Sequence, residues 1–423
     1  MLRWLYAVAA KLATLAPLVV PPSDTKAAIA VRARRGLRAR YRAWAAASRD
    51  GSRRLLWMHA PSVGEGLQAR PVLALMRERH ADVQLAYTFF SPSAEEFSRT
   101  LDVDFRDYLP FDDAREMRFA IDALRPRAIV FSKLDVWPTM AREASRAGVR
   151  LGMISATLSE ASARRGGAAT LLLRDAYGLL DAVGSVDAAD ADRLVQLGVR
   201  RDVIEVTGDT RFDQVWLRAA SVDRNSRLLR QLTSERPTIV AGSTWPADEA
   251  QLLPAIVGAR KRVPDLRLVI APHELPAEHL ENIERWAHDA GLSLARVDGA
   301  SPSADVVLVD RFGVLGDLYA LADIAFVGGG FHDAGLHSVL EPAAYGAPVL
   351  FGPKHHRSRD ALSLIAAQGG RAVDSGDAME QALVEWLRDS EARAGAGRNA
   401  KAMIESGRGA AERSLALVER LLA

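Results

Sequence analysis

The stretch Leu55–Glu65, LLWMHAPSVGE, decides the fold. Its mostly apolar start, Leu55–His59, predicts a buried strand, and Gly66–His80 predicts the helix that follows. A buried strand that passes directly into a helix is the unit from which parallel α/β sheets are built. Functional groups of such sheets lie beyond the carboxyl ends of the strands, so Glu65 is a candidate functional residue.

The same alternation of short apolar runs and amphipathic stretches continues on both sides of a polar segment, Ser221–Arg236. It predicts two doubly wound α/β units. The predicted domains are 1–54, a membrane-anchor and basic segment; 55–220, an N-terminal Rossmann-like domain; and 235–423, a C-terminal Rossmann-like domain whose last helices could pack back on the N-terminal one. The predicted strands are Leu55–His59, Val83–Thr88, Ala128–Ser132, Leu151–Ser155, Ala182–Val186, Val203–Thr207, Thr238–Ala241, Arg267–Ala271, Val306–Val309, Ile324–Val327 and Pro348–Phe351.

Composition excludes some kinds of site. The chain has no cysteine, which rules out disulfides and thiolate metal ligands. Its nine histidines show no HxxxH or HExxH spacing, so a histidine-based metal site is not expected.

The positive charge is concentrated at the N-terminus. Residues 1–54 carry a balance of +10 and the rest of the chain −8, within a net charge of +2. An arginine run predicts either an anionic partner surface or a plain solvated basic helix. The run consists of Arg32, Arg34, Arg35, Arg38, Arg40 and Arg42.

The segment before the arginines is apolar and favours the membrane interpretation. Leu2–Val20 has nearly the length of about 20 residues that spans a bilayer. The charge of Lys11 in its middle disfavours a clean span, and both a signal anchor and a helix lying in the interface fit the segment. We expect attachment to a membrane from its cytoplasmic side, with the arginines against anionic lipid headgroups.

Three loops carry the candidate chemistry of the chain. In the first, Ser62 can cap the following helix, Gly64 lets a ligand approach the backbone, and Glu65 lies in the first helical turn. The same residues match a capping box, S-x-x-E, and local spacing alone favours that structural role. We assign Ser62 and Gly64 to substrate binding.

The other two loops belong to the C-terminal half. Ser243 and Thr244 lie in Gly242–Pro246 between a strand and a helix, a natural phosphate site that Asp248 and Glu249 weaken. The glycine run Gly328–Gly330 predicts a loop that a nucleotide can approach closely, although ordinary turns use the same residues. For the helix that follows, we expect Glu341 to accept hydrogen bonds from ribose hydroxyls.

Together and in this order the motifs resemble the 3-deoxy-D-manno-octulosonic acid (Kdo) transferases of lipopolysaccharide synthesis. The matching stretches cover about residues 55–355 and are HAPSVGE (59–65), TFFSPS (88–93), KLDVWP (133–138), GDTRFD (208–213), AGSTWP (241–246), APHE (271–274), GDLYALADIAFVGGG (316–330) and GLHSVLEPAAYGAPVLFGP (335–353).

The resemblance implies a GT-B glycosyltransferase with two Rossmann-like domains facing a cleft. It implies an inverting, metal-independent transfer of Kdo from CMP-Kdo to a lipid A precursor, without a cofactor and without nucleic acid. Glu65 matches the family's catalytic base, which removes the proton from the acceptor hydroxyl. Asp135 and Arg211 match groups said to stabilise the transition state. The positions implied for the donor are Pro272, His273, Gly316, Asp317, Gly329, Gly330, His337, Ser338, Val339, Leu340 and Glu341.

Departures from the family pattern mark a sub-type. Lys133 stands where many members have an acidic residue, Asp135 replaces a Glu, and Arg211 replaces a Lys. His273 takes the place of a common Arg, and Leu336–Ser338 replaces Gly-His-Asn. Lys133 is hypothesised to bind the Kdo carboxylate or an acceptor phosphate. The alternatives are another GT-B nucleotide-sugar transferase, a sugar 2-epimerase, or a catalytically inactive membrane-bound homologue.

Overall fold

The computed structural model describes residues 2–20, 23, 25–159, 162 and 167–423. The chain forms two compact units, one of Met1–Gln214 with Arg408–Ala423 and the other of Val215–Gly407. Each unit is built around one parallel sheet of seven strands.

The strands, numbered along the chain, are β1 Leu55–His59, β2 Gln84–Phe89, β3 Phe105–Tyr108, β4 Ala128–Ser132, β5 Arg150–Ala156, β6 Ala182–Ser185, β7 Ile204–Val206, β8 Thr238–Thr244, β9 Arg267–Pro272, β10 Leu294–Arg296, β11 Val306–Leu308, β12 Ile324–Val327, β13 Val349–Phe351 and β14 Gly370–Ala372. The strand order is β3-β2-β1-β4-β5-β6-β7 in sheet 1, which belongs to the first unit, and β10-β11-β9-β8-β12-β13-β14 in sheet 2.

The described α-helices are α1 Leu2–Ala13, α2 Ala16–Val19, α3 Lys26–Arg32, α4 Leu37–Ser48, α5 Val63–Arg79, α6 Ser93–Arg99, α7 Ala114–Leu124, α8 Pro138–Arg146, α9 Gly167–Gly178, α10 Ala188–Gln196, α11 Thr210–Ser221, α12 Arg227–Leu232, α13 Pro246–Arg260, α14 Ala277–Asp289, α15 Leu315–Leu318, α16 Leu340–Ala344, α17 Arg359–Ala366, α18 Gly376–Arg388, α19 Ser390–Ser406 and α20 Ala410–Leu422.

The central strands form the cores, as their apolar sequences predict. All five residues of β1 are buried, and β1 pairs with β2 on one side and β4 on the other. Parallel sheets are covered on both faces, so their central strands consist of almost continuous apolar runs. Every strand predicted from the sequence is confirmed, with ends that shift by a few residues.

Three strands lie outside the predicted set, namely β3, β10 and β14. All three are at the edges of their sheets, are three or four residues long and have partly exposed side chains. An edge strand needs only one apolar face or none, so its sequence lacks the run that marks a central strand.

The α/β architecture with two doubly wound units is therefore confirmed, but the apolar N-terminal segment is not a single helix. It breaks at Thr14–Leu15 into α1 and α2, with Pro17 in the first turn of α2. Proline fits the first turn of a helix but not its interior, which accounts for a second start at this point. Among the described residues, no helix is both long and apolar enough to cross a bilayer.

The arginine run is partly internal, which corrects the expectation that all of it faces lipid. The Arg34 side chain is buried, donates from Nε to the Leu109 carbonyl at 2.9 Å, and lies 4.2 Å from the centre of the Phe90 ring. Arg38 and Arg40 remain exposed but form ion pairs with Glu116 and Asp107. Burial of a guanidinium is tolerated here because carbonyls and aromatic faces replace its water.

Candidate active site

The order in which the chain adds strands to sheet 1 reverses between the neighbours β1 and β4. From β1 the chain moves outward through β2 to β3 and then returns to β4 on the other side of β1. The loops after β1 and β4 therefore diverge, and such a switch point is where open α/β sheets bind ligands. Ser132 Oγ, at the end of β4, donates to the backbone carbonyl of Glu65 at 2.8 Å and ties the two loops together.

Glu65 is held by one neighbour from each loop. Its side chain is 15% exposed; Lys133 Nζ lies 3.3 Å from Oε1, and the Ser62 hydroxyl donates to Oε2. Burial acts to raise the pKa of the carboxyl, but the Ser62 hydrogen bond and the Lys133 charge outweigh it and lower the pKa below 4.5. Glu65 is therefore ionised at neutral pH and able to accept a proton.

The predicted capping role of Ser62 is wrong. Ser62 occupies the N-cap position of α5, yet its side chain makes no hydrogen bond to the backbone of the first turn. Its hydroxyl donates to the Glu65 carboxylate instead, so the S-x-x-E pattern fixes the carboxylate rather than the helix end. Gly64 is exposed in the turn between them, and a Cβ there would meet only Ser62 Oγ, at 3.8 Å.

Lys133 has an unusual backbone for its residue type. Its φ angle is 66°, in the left-handed region, and its N–H donates to the Ile154 carbonyl at 2.9 Å. A long side chain in this region costs of order 1–3 kcal/mol, a strain that concentrates at functional sites. The conformation places a cation on Glu65, a pairing that the motif alone did not predict.

Asp135 and Arg211 belong to the same unit as Glu65. Asp135 is half-buried in the loop after β4, two residues beyond Lys133. The Arg211 side chain donates from Nε and Nη2 to Asp209 Oδ2, at 2.8 and 2.6 Å. The buried Asp209 also accepts from Gln68 Nε2, on the Glu65 helix, at 3.3 Å. The proposed grouping of Asp135 and Arg211 around Glu65 stays a prediction.

Asp209 is a positioning residue that was not among the predicted site residues. It is 4% exposed at the side chain, and its Oδ2 accepts from both Nε and Nη2 of Arg211, which fixes the guanidinium. The GDTRFD stretch contains an acidic residue two positions before the arginine, which is the signal that could have identified it.

His59 supports the Glu65 loop without taking part in proton transfer. It is fully buried, and its Nε2 accepts from Trp137 Nε1 at 3.0 Å while Nδ1 lies 3.0 Å from Thr88 Oγ1. An indole N–H can only donate, so the proton of the neutral imidazole is on Nδ1. Burial lowers the pKa of His59 to about 3 and keeps the ring neutral. The ring thereby joins the HAPSVGE, TFFSPS and KLDVWP stretches.

The second unit has its own switch point, between β8 and β12. Four rings cluster in the loops around it. Trp245 stacks on His332 at 4.2 Å and lies 4.6 Å from His273, which is 4.4 Å from His337. Trp245 Nε1 donates to His337 Nε2 at 3.2 Å. Burial and the neighbouring histidines lower the pKa of His337 to about 4, so its ring is neutral.

Two carboxylates occupy hydrogen-bond donors around the helix start after β8. Asp248 accepts from the N–H groups of Trp245, Gly329 and Phe331, at 2.9, 2.7 and 3.0 Å. Thr244 is buried and donates its hydroxyl to Glu249 at 2.7 Å. Protein carboxylates therefore accept from donors that a phosphate would use, as Asp248 and Glu249 led us to expect, and the substrate-binding role of Ser243 and Thr244 stays a prediction. Ser243, with φ of 55°, is half-buried beside it near the end of β8.

The glycine run has a packing role that its sequence did not reveal. A Cβ on Gly328 would lie 2.2 Å from the Ser243 carbonyl oxygen, and one on Gly329 2.1 Å from that of Gly335. A Cβ on Gly330 would lie 2.3 Å from the Gly352 nitrogen. These glycines allow the loops around β12 to pack backbone against backbone.

Arg218 is a further residue that sequence reasoning missed. It donates from Nε to Asp317 Oδ1 at 3.1 Å, and a Cβ on Gly316 would collide with its guanidinium. Burial raises the pKa of the nearby Glu341, against the opposing charge of Arg218. An arginine between two predicted donor-site carboxylates adds the cation that a phosphate requires.

The remaining predicted donor residues lie at the start of α16 and at the end of β9. Ser338 is exposed, whereas the side chains of Val339 and Leu340 are buried in the core. Those two can contact a ligand through the backbone only. Pro272 ends β9, and the His273 N–H donates to the Thr244 carbonyl at 2.8 Å. Among the residues that the structure describes, no three His, Asp or Glu side chains group as metal ligands would.

The chain is similar to proteins of one family. A family model described as "3-Deoxy-D-manno-octulosonic-acid transferase (kdotransferase)" matches residues 33–214. A 3-deoxy-D-manno-octulosonic acid transferase of Bordetella pertussis is 31% identical over 379 residues, 86% of this chain and 86% of that protein. The protein of the same name from Haemophilus influenzae is 26% identical over 389 residues, 87% of each chain.

Solved structures show the same fold at low identity. UDP-GlcNAc 2-epimerase from Neisseria meningitidis, bound to UDP-GlcNAc, has a TM-score of 0.63 at 15% identity and covers 87% of this chain and 99% of its own. A putative UDP-N-acetylglucosamine 2-epimerase from Listeria monocytogenes also has a TM-score of 0.63, at 14% identity, covering 87% and 96%. At this identity the likeness extends to the fold alone.

Proposed function

Because the chain belongs to the family of 3-deoxy-D-manno-octulosonic acid (Kdo) transferases, we propose that it moves Kdo from CMP-Kdo to a lipid A precursor. It is a glycosyltransferase of lipopolysaccharide core synthesis. We further propose that the transfer inverts the anomeric carbon of Kdo and uses no metal.

The observation that carries the mechanism is the ionised Glu65 carboxylate between Ser62 and Lys133. A base must be unprotonated before it can accept the proton of the attacking acceptor hydroxyl. The two neighbours fix the carboxylate at the switch point of sheet 1, where a substrate would approach it. Lys133 is then suited to an anionic group of either substrate once its bond to Glu65 lengthens.

Cations balance the charge that develops on the donor. The Kdo carboxylate and the departing CMP phosphate are both anionic, and a guanidinium can bind either in bidentate fashion. We assign that role to Arg211, which Asp209 holds in place. In the second unit the four-ring cluster around Trp245 offers an aromatic face for the cytosine ring, with Arg218 as an additional cation.

We place the enzyme at the cytoplasmic face of the inner membrane. Residues 2–15, called here the α1 region, expose large apolar side chains. They are Trp4 at 67%, Leu5 at 49%, Leu12 at 62% and Leu15 at 54% exposed. Exposed apolar side chains beside a strongly basic segment are typical of helices that lie in a membrane interface. Anionic inner-membrane lipids are the expected partners of this surface.

Two alternatives remain testable. The structural likeness to UDP-GlcNAc 2-epimerases supports the fold but no particular donor, while the KLDVWP and GLHSVLEPA stretches argue for the Kdo transferases. A catalytically inactive homologue is disfavoured because Glu65, Asp135 and Arg211 are all present.

Purified protein incubated with CMP-Kdo and a lipid A precursor tests the proposal, with products resolved by mass. We expect a lipid product heavier by Kdo residues, and we expect CMP to raise the melting temperature more than UDP does. A stronger shift with UDP would contradict the proposed donor. Binding of CMP without any lipid product would favour the inactive homologue.

A further inference from the structure

A cavity of about 420 Å³ opens beside the arginine run of the first unit. Its volume is within the range of about 300–1,000 Å³ for pockets that hold small molecules. Pro17, Leu37 and Pro110 line it with side chains that are buried, and Phe111 is half-buried. An apolar pocket of this size suits a hydrocarbon chain.

The mouth of the cavity is cationic. Arg35 and Arg38 line it and are exposed. Arg35 donates to the carbonyls of Pro17 and Val20, at 2.5 and 3.2 Å, which fixes its guanidinium at the rim. Arg38 is paired with Glu116, and Glu116 is the acidic residue of the lining. With the buried Arg34, the lining contains three arginines and one carboxylate. The excess of positive charge favours an anionic group at this rim.

A row of side chains in contact links the wall of the cavity to the Glu65 loop. Arg34, in the cavity wall, lies 4.2 Å from the centre of the Phe90 ring. Phe90 stacks on Trp137 at 5.0 Å, and Trp137 donates to His59, which ends the strand before the Glu65 loop. The cavity and the Glu65 loop are therefore separated only by this row of packed side chains of the first unit.

We propose that this cavity, between Pro17, Leu37, Pro110 and Phe111, receives an acyl chain of the acceptor, with Arg35 and Arg38 against an acceptor phosphate. The inference rests on the proposed function, because it assumes an acceptor that is a phosphorylated, acylated glycolipid. An acceptor has to present its hydroxyl to Glu65, and the contacts through Phe90 and Trp137 place the cavity close to the Glu65 loop. A bilayer phospholipid has no such requirement, which is why we assign the cavity to the acceptor.

Three variants and a control test the assignment. Thr14→Phe fills part of the cavity, since Thr14 lines it, and leaves the charge of the arginines unchanged. Arg38→Ala removes one cation, and Glu116→Gln releases Arg38 from its ion pair. Arg42→Ala is the control, because Arg42 belongs to the same run but is not part of the lining. KM is measured for CMP-Kdo, for the acylated acceptor and for its fully deacylated form, with kcat for each.

For the acylated acceptor we expect Thr14→Phe and Arg38→Ala to raise KM about tenfold, the effect of roughly 1.4 kcal/mol. Glu116→Gln should lower this KM, and Arg42→Ala should leave it unchanged. With the deacylated acceptor Thr14→Phe should have no effect, and KM for CMP-Kdo should be the same in all variants. Arg38→Ala and Glu116→Gln should thus change KM for the acylated acceptor in opposite directions, which a general loss of folding cannot produce.

Equal effects of Thr14→Phe on both acceptors, or on neither, would overturn the assignment. So would a Thr14→Phe protein that binds anionic vesicles less well while its acceptor KM is unchanged, because the occupant would then be a bilayer lipid. Failure of the wild-type protein to transfer Kdo to either acceptor would refute the proposed function instead.

Discussion

At the scale of the single residue, two opposing effects set the pKa of Glu65. Burial favours its neutral form, whereas Ser62 and Lys133 favour the ionised form and prevail. Glu65→Gln keeps the shape and the acceptor for the Ser62 hydroxyl but removes the basicity. We expect normal folding, unchanged CMP affinity and a kcat lower by about 10²–10⁴-fold, the usual contribution of a general base. Single-turnover rates and thermal unfolding in parallel check this, with Ser62→Ala as the control for the hydrogen bond.

Lys133 sets the pH dependence of the same carboxylate. A carboxylate base is active only while ionised, so activity is lost as the pH falls through its folded pKa, which lies below 4.5. Lys133 is one of the groups that lower the pKa of Glu65 against the effect of burial. Removing its charge leaves fewer such groups, so the pKa of Glu65 rises. Lys133→Met should therefore move the acidic limb of the kcat profile to higher pH, while Lys133→Arg should restore it. An acidic limb that does not move in Lys133→Met would show that the ion pair is not present in the working enzyme.

At the scale of the elements, the loops after β8 and β12 depend on glycines. Gly328→Ala would place a Cβ 2.2 Å from the Ser243 carbonyl oxygen, a contact that only a backbone shift can relieve. We expect a loss of stability of about 1–3 kcal/mol, as for other overpacked sites, together with weaker CMP binding. Gly299→Ala is the matched control, because its Cβ would meet no atom within 4 Å. Urea unfolding and CMP titration of both variants test the prediction, and equal behaviour would refute it.

The elements also show how far the sequence predicts this fold. Central strands such as β1 and β4 were predictable because burial on both faces demands continuous apolar residues. The edge strands β3, β10 and β14 escaped prediction because pairing on one side places no such demand. The break at Thr14–Leu15 was missed for a different reason: hydropathy does not record where a proline restarts a helix.

The candidate site was predictable as a set of residues but not as a set of contacts. Motif order identified Glu65 and Lys133, yet their ion pair depends on a left-handed backbone at Lys133 that spacing does not reveal. The hydrogen bond from the Thr244 hydroxyl to Glu249, and that from the Gly329 N–H to Asp248, were likewise not readable from the motifs. Contacts of this kind come from the tertiary fold.

At the scale of the whole molecule, the α1 region predicts membrane binding. We expect the protein to sediment with vesicles that contain anionic lipid and to do so less as salt rises, because the basic segment adds an electrostatic contribution. Trp4→Ser with Leu12→Ser should release most of the protein. Leu362→Ser removes a leucine that is 46% exposed elsewhere and serves as the control. Equal release by both would show that α1 is not the attachment site.

The return of the chain to the first unit has a consequence for biosynthesis. Helix α20 follows the whole of the second unit in sequence, yet it packs on α5 and on strands β4–β6 of sheet 1. A Cβ on Gly152, in β5, would lie 2.4 Å from Leu421, so the sheet is shaped to the helix that covers it. During translation, almost two hundred residues, 215–407, are synthesised between sheet 1 and helix α20. One face of sheet 1 therefore stays uncovered until α20 has left the ribosome. The second unit is continuous in sequence and has no such delay. The first unit is therefore synthesised first but completes its fold last.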